Sequence, residues 1–313
     1  MKIDDIDAFV AVVRSQSLSQ AAKELNLTQP AITRRVQNFE EALGAPLLDR
    51  ATKPPKPNAL GRQVYEQCQA VLHEMARLRE LVSADGAPGG SLRLGLTQGI
   101  GDLVLRDALA DLNARYPGLQ PRIATGWGGQ LVERVNAGEL DAAAVWLAAG
   151  SALPKNAAGQ VLDSSALVVV APKAEVTKRS YRLAQWSERG WILNPDGCGF
   201  RAGLRRVLAA QGLPLAVQLD TNGRELQLEL VARGHGLGLV PMPLLRASAW
   251  RDQLAVVPLS DFKPQVDLWL VHGRARGRLQ EPVERFGAQV LRALGSKPAR
   301  AAQGPAAKAR RAA

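Results

Sequence analysis

The stretch TQPAITRRVQNFEEAL, residues 28–43, carries two different faces on one helix. Thr28 suits an N-cap, and Pro30 is tolerated in the first turn, where backbone N–H groups lack helical partners. Ile32, Val36, Phe39 and Leu43 recur at helical spacing and predict a buried face. Gln29, Thr33 and Gln37 stack at i, i+4 and i+8 on another face, with Arg34 beside them. Such side chains can reach base edges and phosphates, and a core has no use for them. An ordinary amphipathic surface helix has the same pattern, so what precedes it decides between the two.

Asp4 is placed to cap a first helix whose inner face holds Ile6, Phe9, Val10 and Val13. Ser17 and Ser19 are alternative caps for a second helix, SQAAKELNL. Its Ala21-Ala22 pair permits a close crossing, and Leu25 and Leu27 point inward. A tight turn through Asn26, Leu27 and Thr28 leads into the polar helix. Helix, short turn and polar second helix form the arrangement in which the second helix enters a major groove. After Leu43-Gly44 comes PLLDRATKPPKPNALG, which predicts a short strand at 47–50 and a proline-stiffened hairpin. That hairpin would be a wing, with Arg50, Lys53 and Lys56 at phosphates or a minor groove; a solvated loop is the bland alternative.

SLSQAAKELNLTQPAITRRVQNFEEALGAPLLDR resembles the DNA-binding domain of LysR-type transcriptional regulators. The residues carrying the resemblance are Phe9, Ala21-Ala22, Leu25, Thr28-Gln29-Pro30-Ala31, Arg34, Glu40, Leu43-Gly44, Leu47, Arg50 and Gly61. Leu48, Phe39 and Asn58 depart from the usual Phe, Leu and Thr, and Asn is an equally good cap.

Asn58 to Ser83 reads as one long helix. Val64, Cys68, Val71, Met75, Leu78 and Val82 alternate in steps of four and three, a heptad seam that predicts a partner helix and so a dimer. Burial against the chain's own second domain is the alternative, and Cys68 on the seam reads as a packed thiol. SADGAPGGS, 83–91, is the clearest linker. Beyond it strands alternate with helices over about 200 residues, which predicts an α/β fold with mostly parallel sheets. The expected strands are 92–97, 119–125, 141–147, 166–172, 190–195, 215–220, 236–241, 254–259 and 265–273. Helices are expected up to Tyr116, at 129–137, 199–212, 224–233 and 281–294.

ARYPGLQ, GELDAAAV and HGLGLVP look like landmarks of the LysR-type effector domain. The resemblance implies a winged helix-turn-helix at 1–57, a dimerising linker helix at 58–83 and a hinge at 84–90. It also implies a two-lobed effector domain of the periplasmic-binding-protein type at 91–295. Lobe I would hold 91–161 and 267–295, and lobe II 162–266. Residues 296–313 read as a disordered basic, Ala/Pro-rich tail.

The chain has 313 residues and a formal charge of +11. Residues 1–90 balance eleven basic against eleven acidic side chains, while 271–313 hold ten basic against two acidic. The surplus therefore sits away from the reading helix and aids non-specific DNA binding at most. Nothing at the N-terminus resembles a signal peptide, no apolar run is long enough to span a bilayer, and two cysteines suggest a reducing compartment. A cytoplasmic protein with no membrane partner is expected. No HExxH, GxSxG or CxxC occurs, and Gly197, Gly199 and Gly203 miss the dinucleotide fingerprint by one place. Neither an enzyme nor a metal or cofactor site is expected. A transport protein for solutes and a ligand-independent nucleoid protein are further rivals; the N-terminal reader argues against the first and the long α/β part against the second.

Ligands of two-lobed α/β domains bind beside strand ends and helix N-termini, whose N–H groups favour anions. Four such corners are readable: Thr97-Gln98, Gly128-Gly129-Gln130, Asp196 to Gly199 with Arg201, and Asn222-Gly223-Arg224. The resemblance implies that Thr97, Gln98, Gly129, Trp146, Cys198 and Asn222 line an effector pocket, while Trp127 and Trp191 read as core. An oxyanion-bearing effector is expected. Gln29, Thr33, Arg34 and Gln37 are expected to read bases. Ser19, Pro30, Thr28, Arg35, Arg50, Lys53 and Lys56 are expected along the DNA, the last five of them at phosphates. The implied partners are promoter DNA with an interrupted palindrome, a second copy of the chain, a tetramer of such copies, and RNA polymerase.

Overall fold

The computed structural model describes residues 1–49, 52, 55–82, 88–186, 188–195, 197–274 and 276–295. Arg50, Lys53, Asp196, most of the hinge, the tail and the side chain of Val82 lie outside the described residues. The chain divides into two compact units, the first built on Met1–Gly86.

In the first unit α1 (Ile3–Ser15), α2 (Leu18–Glu24) and α3 (Gln29–Leu43) enclose a core around Phe9, Ala21, Ile32 and Phe39. The Phe9 and Phe39 rings lie 5.3 Å apart. Asp4 does not cap α1: it sits inside the first turn, and Asp5 accepts the Lys2 N–H at 2.9 Å instead. Ser17 rather than Ser19 caps α2, accepting the Gln20 N–H at 3.2 Å. Asn26 takes φ 53°, a left-handed conformation that Asn tolerates better than most residues, and so turns the chain between α2 and α3. Thr28 caps α3, and the helix stops at Gly44. Ile32, Val36 and Phe39 are buried, but Leu43 is 43% exposed at the end of the helix, beyond the last buried residues of α3. Strands β1 (Leu48–Asp49) and β2 (Lys56–Pro57) pair antiparallel as the wing. Asn58 then caps α4 (Ala59–Val82), its Oδ1 accepting the Gly61 N–H at 2.8 Å.

The second unit follows the expected alternation. It runs β3 (Gly90–Thr97), α5 (Gln98–Arg115), β4 (Leu119–Gly126), α6 (Gly128–Asn136), β5 (Ala142–Ala148) and β6 (Ala157–Pro172). Then come β7 (Trp191–Leu193), α7 (Gly199–Ala210), β8 (Val217–Asp220), α8 (Arg224–Ala232), β9 (Gly238–Pro241) and α9 (Met242–Arg246). β10 (Leu254–Val256), β11 (Gln265–Gly273) and α10 (Gln280–Ala293) end the described chain.

The expectation of mostly parallel sheets needs correction. β3 pairs in parallel with β4 and β5, and β7 with β8, but β11 is antiparallel to β5 and β6, and β6 is antiparallel to β9 and β10. The cause is β6, which is sixteen residues long where only 166–172 were expected to be strand. Its first part pairs with β11, and its last part with β9 and β10, so this one strand runs through both lobes. β11 returns beside it, and an out-and-back pair is necessarily antiparallel. The lobes thus share the continuous strand β6. Among the described residues no helix is long and apolar enough to cross a membrane.

Candidate functional site

Two surfaces carry the chemistry, one in each unit. On α3, Gln29, Pro30, Arg34 and Gln37 are exposed and Thr33 is half-buried. Local bonds refine their roles. Ser19 Oγ donates to Gln29 Oε1 at 3.0 Å, which ties α2 to the start of α3 through the amide oxygen and leaves the Gln29 amide N–H groups out of that bond. Thr33 Oγ1 donates to the Gln29 carbonyl at 3.0 Å, so Thr33 presents its methyl group and oxygen lone pairs, not a donor. Thr28 Oγ1 accepts from Ala31 N–H at 3.4 Å. Arg35 lies 3.3 Å from Asp4 in an ion pair back to α1. Lys56 is exposed on β2. Glu40, buried at the end of α3, accepts the Leu47 and Leu48 N–H groups at 2.7 and 3.0 Å and so fixes the wing to the helix.

The heptad positions of α4 divide in two. Val64 and Cys68 pack on the core of the first unit, and burial pushes the Cys68 thiol up to about 11. Val71 and Leu78 are 46% and 56% exposed, and Met75 is half-buried. Packing against the chain's own α1–α3 therefore takes the first two positions. Met1, Leu43, Leu60, Val64 and Val71 border an apolar groove of about 390 Å³ on this unit.

In the second unit the ends of β3, β5 and β9 and the starts of four helices meet at a partly open cavity of about 60 Å³. Thr97, Gln98, Trp146, Cys198 and Asn222 border it. Gly129 does not: it is exposed, and its neighbour Gly128 takes the place. A Cβ on Gly128 would stand 2.6 Å from the Trp146 carbonyl oxygen, so the close approach of α6 to β5 requires glycine there. Thr97 is committed internally, its Oγ1 donating to the Ala144 carbonyl at 3.2 Å and accepting from Trp146 N–H at 3.3 Å. It holds Trp146 rather than offering a donor. Trp127 borders the cavity, contrary to its reading as core, whereas Trp191 is 2% exposed core. Arg201 bonds the Asn194 carbonyl and Asp220, bracing the loop before α7.

Sequence reasoning missed Phe200, Arg224, Gln227 and Leu244 as lining residues. Arg224 stood in a corner named from sequence, yet only its burial, with Nε and Nη1 lacking hydrogen-bond partners, sets it apart. Gln98 Oε1 and Trp146 Nε1 are likewise buried without partners. Among the described residues no group of His, Cys, Asp and Glu could hold a metal ion.

Residues 3–62 match the bacterial regulatory helix-turn-helix proteins of the lysR family, and residues 85–295 match the LysR substrate binding domain. The chain belongs to the LysR family of DNA-binding transcriptional regulators with an effector-binding domain. A small neutral protease regulatory protein of Streptomyces coelicolor is 31% identical over 275 residues, covering 84% of each chain. A RuBisCO operon transcriptional regulator of Allochromatium vinosum is 24% identical over 281 residues, 88% of this chain and 91% of that one. These relatives are named as regulators, and the protein is not an enzyme. In fold, it is similar to a full-length OxyR variant from Pseudomonas aeruginosa, with TM-score 0.72, 19% identity, and 97% and 99% coverage of the two chains. It is also similar to full-length CbnR solved with its target DNA, with TM-score 0.59, 20% identity, and 94% and 100% coverage.

Proposed function

We propose that the chain regulates transcription from the cytoplasm as a dimer or tetramer. In this reading α3 reads the major groove of an interrupted palindrome, and a small anionic effector in the second unit sets the geometry of the assembly on DNA. The observation that carries the reading is the outward row of Gln29, Thr33, Arg34 and Gln37 on a helix whose opposite face is fixed in a core. Gln29 and Gln37 have the amides suited to adenine, and Arg34 the guanidinium suited to guanine. Arg35, Lys56 and the Thr28 end of the helix are assigned to phosphates, as are Arg50 and Lys53 from their place in the sequence.

Self-association is supported by the exposed Val71 and Leu78 and by the apolar groove beside Leu43 and Leu60. The linker helix is assigned to that interface, through Met75, Leu78 and Val82 together with Val71. Two readers per dimer then fit two half-sites. The anionic effector is supported by four helix N-termini that border one cavity. Its closure of the lobes would alter DNA bending and contacts to RNA polymerase. Arg34→Ala is the test: if Arg34 is bidentate to guanine, binding weakens by about 1–3 kcal/mol and specificity relaxes at one base pair. Uniform weakening across all sequences would make Arg34 a phosphate contact.

A further inference from the structure

Arg224 is the one charged side chain among the described residues that border the cavity. Its side chain is 6% exposed. Nη2 lies 2.6 Å from Glu225 Oε1, and Nε and Nη1 have no hydrogen-bond partner. A buried guanidinium left two-thirds unpaired forgoes hydrogen bonds that water would supply, which costs stability unless a ligand supplies them. The helices α5, α6, α7 and α8 begin at Gln98, Gly128, Gly199 and Arg224, all on the cavity wall, and add the positive ends of four helix dipoles.

The charge available is limited. Glu225 neutralises much of Arg224, and its other oxygen is held by Ser248 Oγ at 2.9 Å and Ala249 N–H at 3.4 Å, so it stays in place. With one guanidinium among the described lining residues, one carboxylate finds a side-chain cation to pair with and a second carboxylate on the same ligand finds none. The rest of the wall near it is apolar, with Trp127, Phe200 and Leu244. The volume of about 60 Å³ is room for about four to six water-sized groups.

We infer that Arg224 selects the effector, and that the effector is a small monocarboxylate whose carboxylate pairs with Arg224 and whose short body lies against the apolar wall. The inference rests on the reading of this cavity as the effector site. Trp146 Nε1 serves as a second donor, and Gln98 Oε1 accepts from a hydroxyl where the ligand has one.

The test is calorimetry of the full chain with butyrate, 3-hydroxybutyrate, butyramide, succinate and inorganic phosphate. It is repeated on Arg224→Gln, Arg224→Lys and Gly199→Trp. Gly199 borders the cavity and has open space where a Cβ would stand, so the last variant sets a large side chain at the cavity wall. The expected result is that a monocarboxylate binds and the amide, succinate and phosphate bind far more weakly. Arg224→Gln should weaken the monocarboxylate about ten- to a hundred-fold, Arg224→Lys should recover part of it, and Gly199→Trp should abolish it. Binding lost in Gly199→Trp but equal in wild type and Arg224→Gln would keep the cavity and overturn the role of Arg224. Binding that survives both changes would place the ligand elsewhere and overturn the cavity reading itself. Binding of phosphate or succinate in preference, or of none of the five, would overturn the monocarboxylate assignment.

Discussion

Replacing Glu40 with alanine removes the acceptor that joins the reading helix to the wing. Glu40 is 7% exposed, and its Oε1 takes the Leu47 N–H at 2.7 Å and the Leu48 N–H at 3.0 Å. Both leucines are buried, so water is poorly placed to substitute. Each buried N–H left unpaired costs about 1–3 kcal/mol, so the pair costs about 2–6 kcal/mol. For a domain of 60–100 residues one kcal/mol moves Tm by about 4–8 °C, and the first unit falls in that range. Calorimetry of the full chain should therefore show its transition lowered by at least about 8 °C in Glu40→Ala. Glu40→Gln keeps a neutral acceptor and should fall between the two. Hydrogen exchange read on peptides spanning 44–49 localises the effect, with Leu47 and Leu48 amides losing protection in the alanine variant. A Glu40→Ala protein melting within about 2 °C of wild type, with those amides still protected, would refute the reasoning.

Other outcomes follow from the same structure. Burial holds His272 below its ordinary pKa, so the folded chain binds fewer protons than the unfolded one. The resulting stability is full above about pH 6.5 and is lost as pH falls through the folded value. Thermal melts between pH 7 and 5 should be steeper for wild type than for His272→Gln, and equal slopes contradict this. With its thiol at about 11, Cys68 should alkylate at pH 8 on the order of a hundred-fold more slowly than a free cysteine until the unit unfolds, as followed by mass spectrometry. Reaction at the free rate in the native chain would mean that Cys68 is not packed. Leu78→Asp, at a position 56% exposed, should leave the melting of the first unit within about 0.5 kcal/mol of wild type yet shift sedimentation toward monomer. An unchanged sedimentation profile would remove the outer part of α4 from the interface.

The reading helix was legible because its requirements are local. Cap, stop and two stripes all lie within Thr28 to Gly44, and the structure places the ends of α3 where those residues set them. The strand QVDLWLVHG was equally plain, since one continuous β-rich run begins and ends where β11 does. The first half of β6, AAGQVLDSS, was not. It is short in large apolar residues and becomes strand by pairing with β11 about a hundred residues later, a long-range effect that no local pattern carries. α9 was missed because five residues are too few to show a period.

The cavity was half legible for a related reason. Strand-to-helix corners can be counted along the chain, and they gave Thr97, Gln98, Cys198 and Asn222. Which way a hydroxyl or a guanidinium turns is settled by neighbours distant in sequence. Thr97 is spent on Ala144 and Trp146, and Arg224 is buried beside Leu244 and Gln227 along the same wall. The seam on α4 shows the same limit. Its spacing marks an apolar stripe, but the partner of each part of the stripe depends on what α1 to α3 cover first.

The most direct test of the account is selection of bound genomic fragments by the full-length protein at physiological salt, in parallel with a Gln29→Ala, Gln37→Ala variant. The account predicts one class of sites with dyad symmetry from wild type, and loss of that class from the variant while weak non-specific binding persists. Random fragments from both proteins, with the same steep dependence on salt, would contradict the assignment of α3 as the sequence reader.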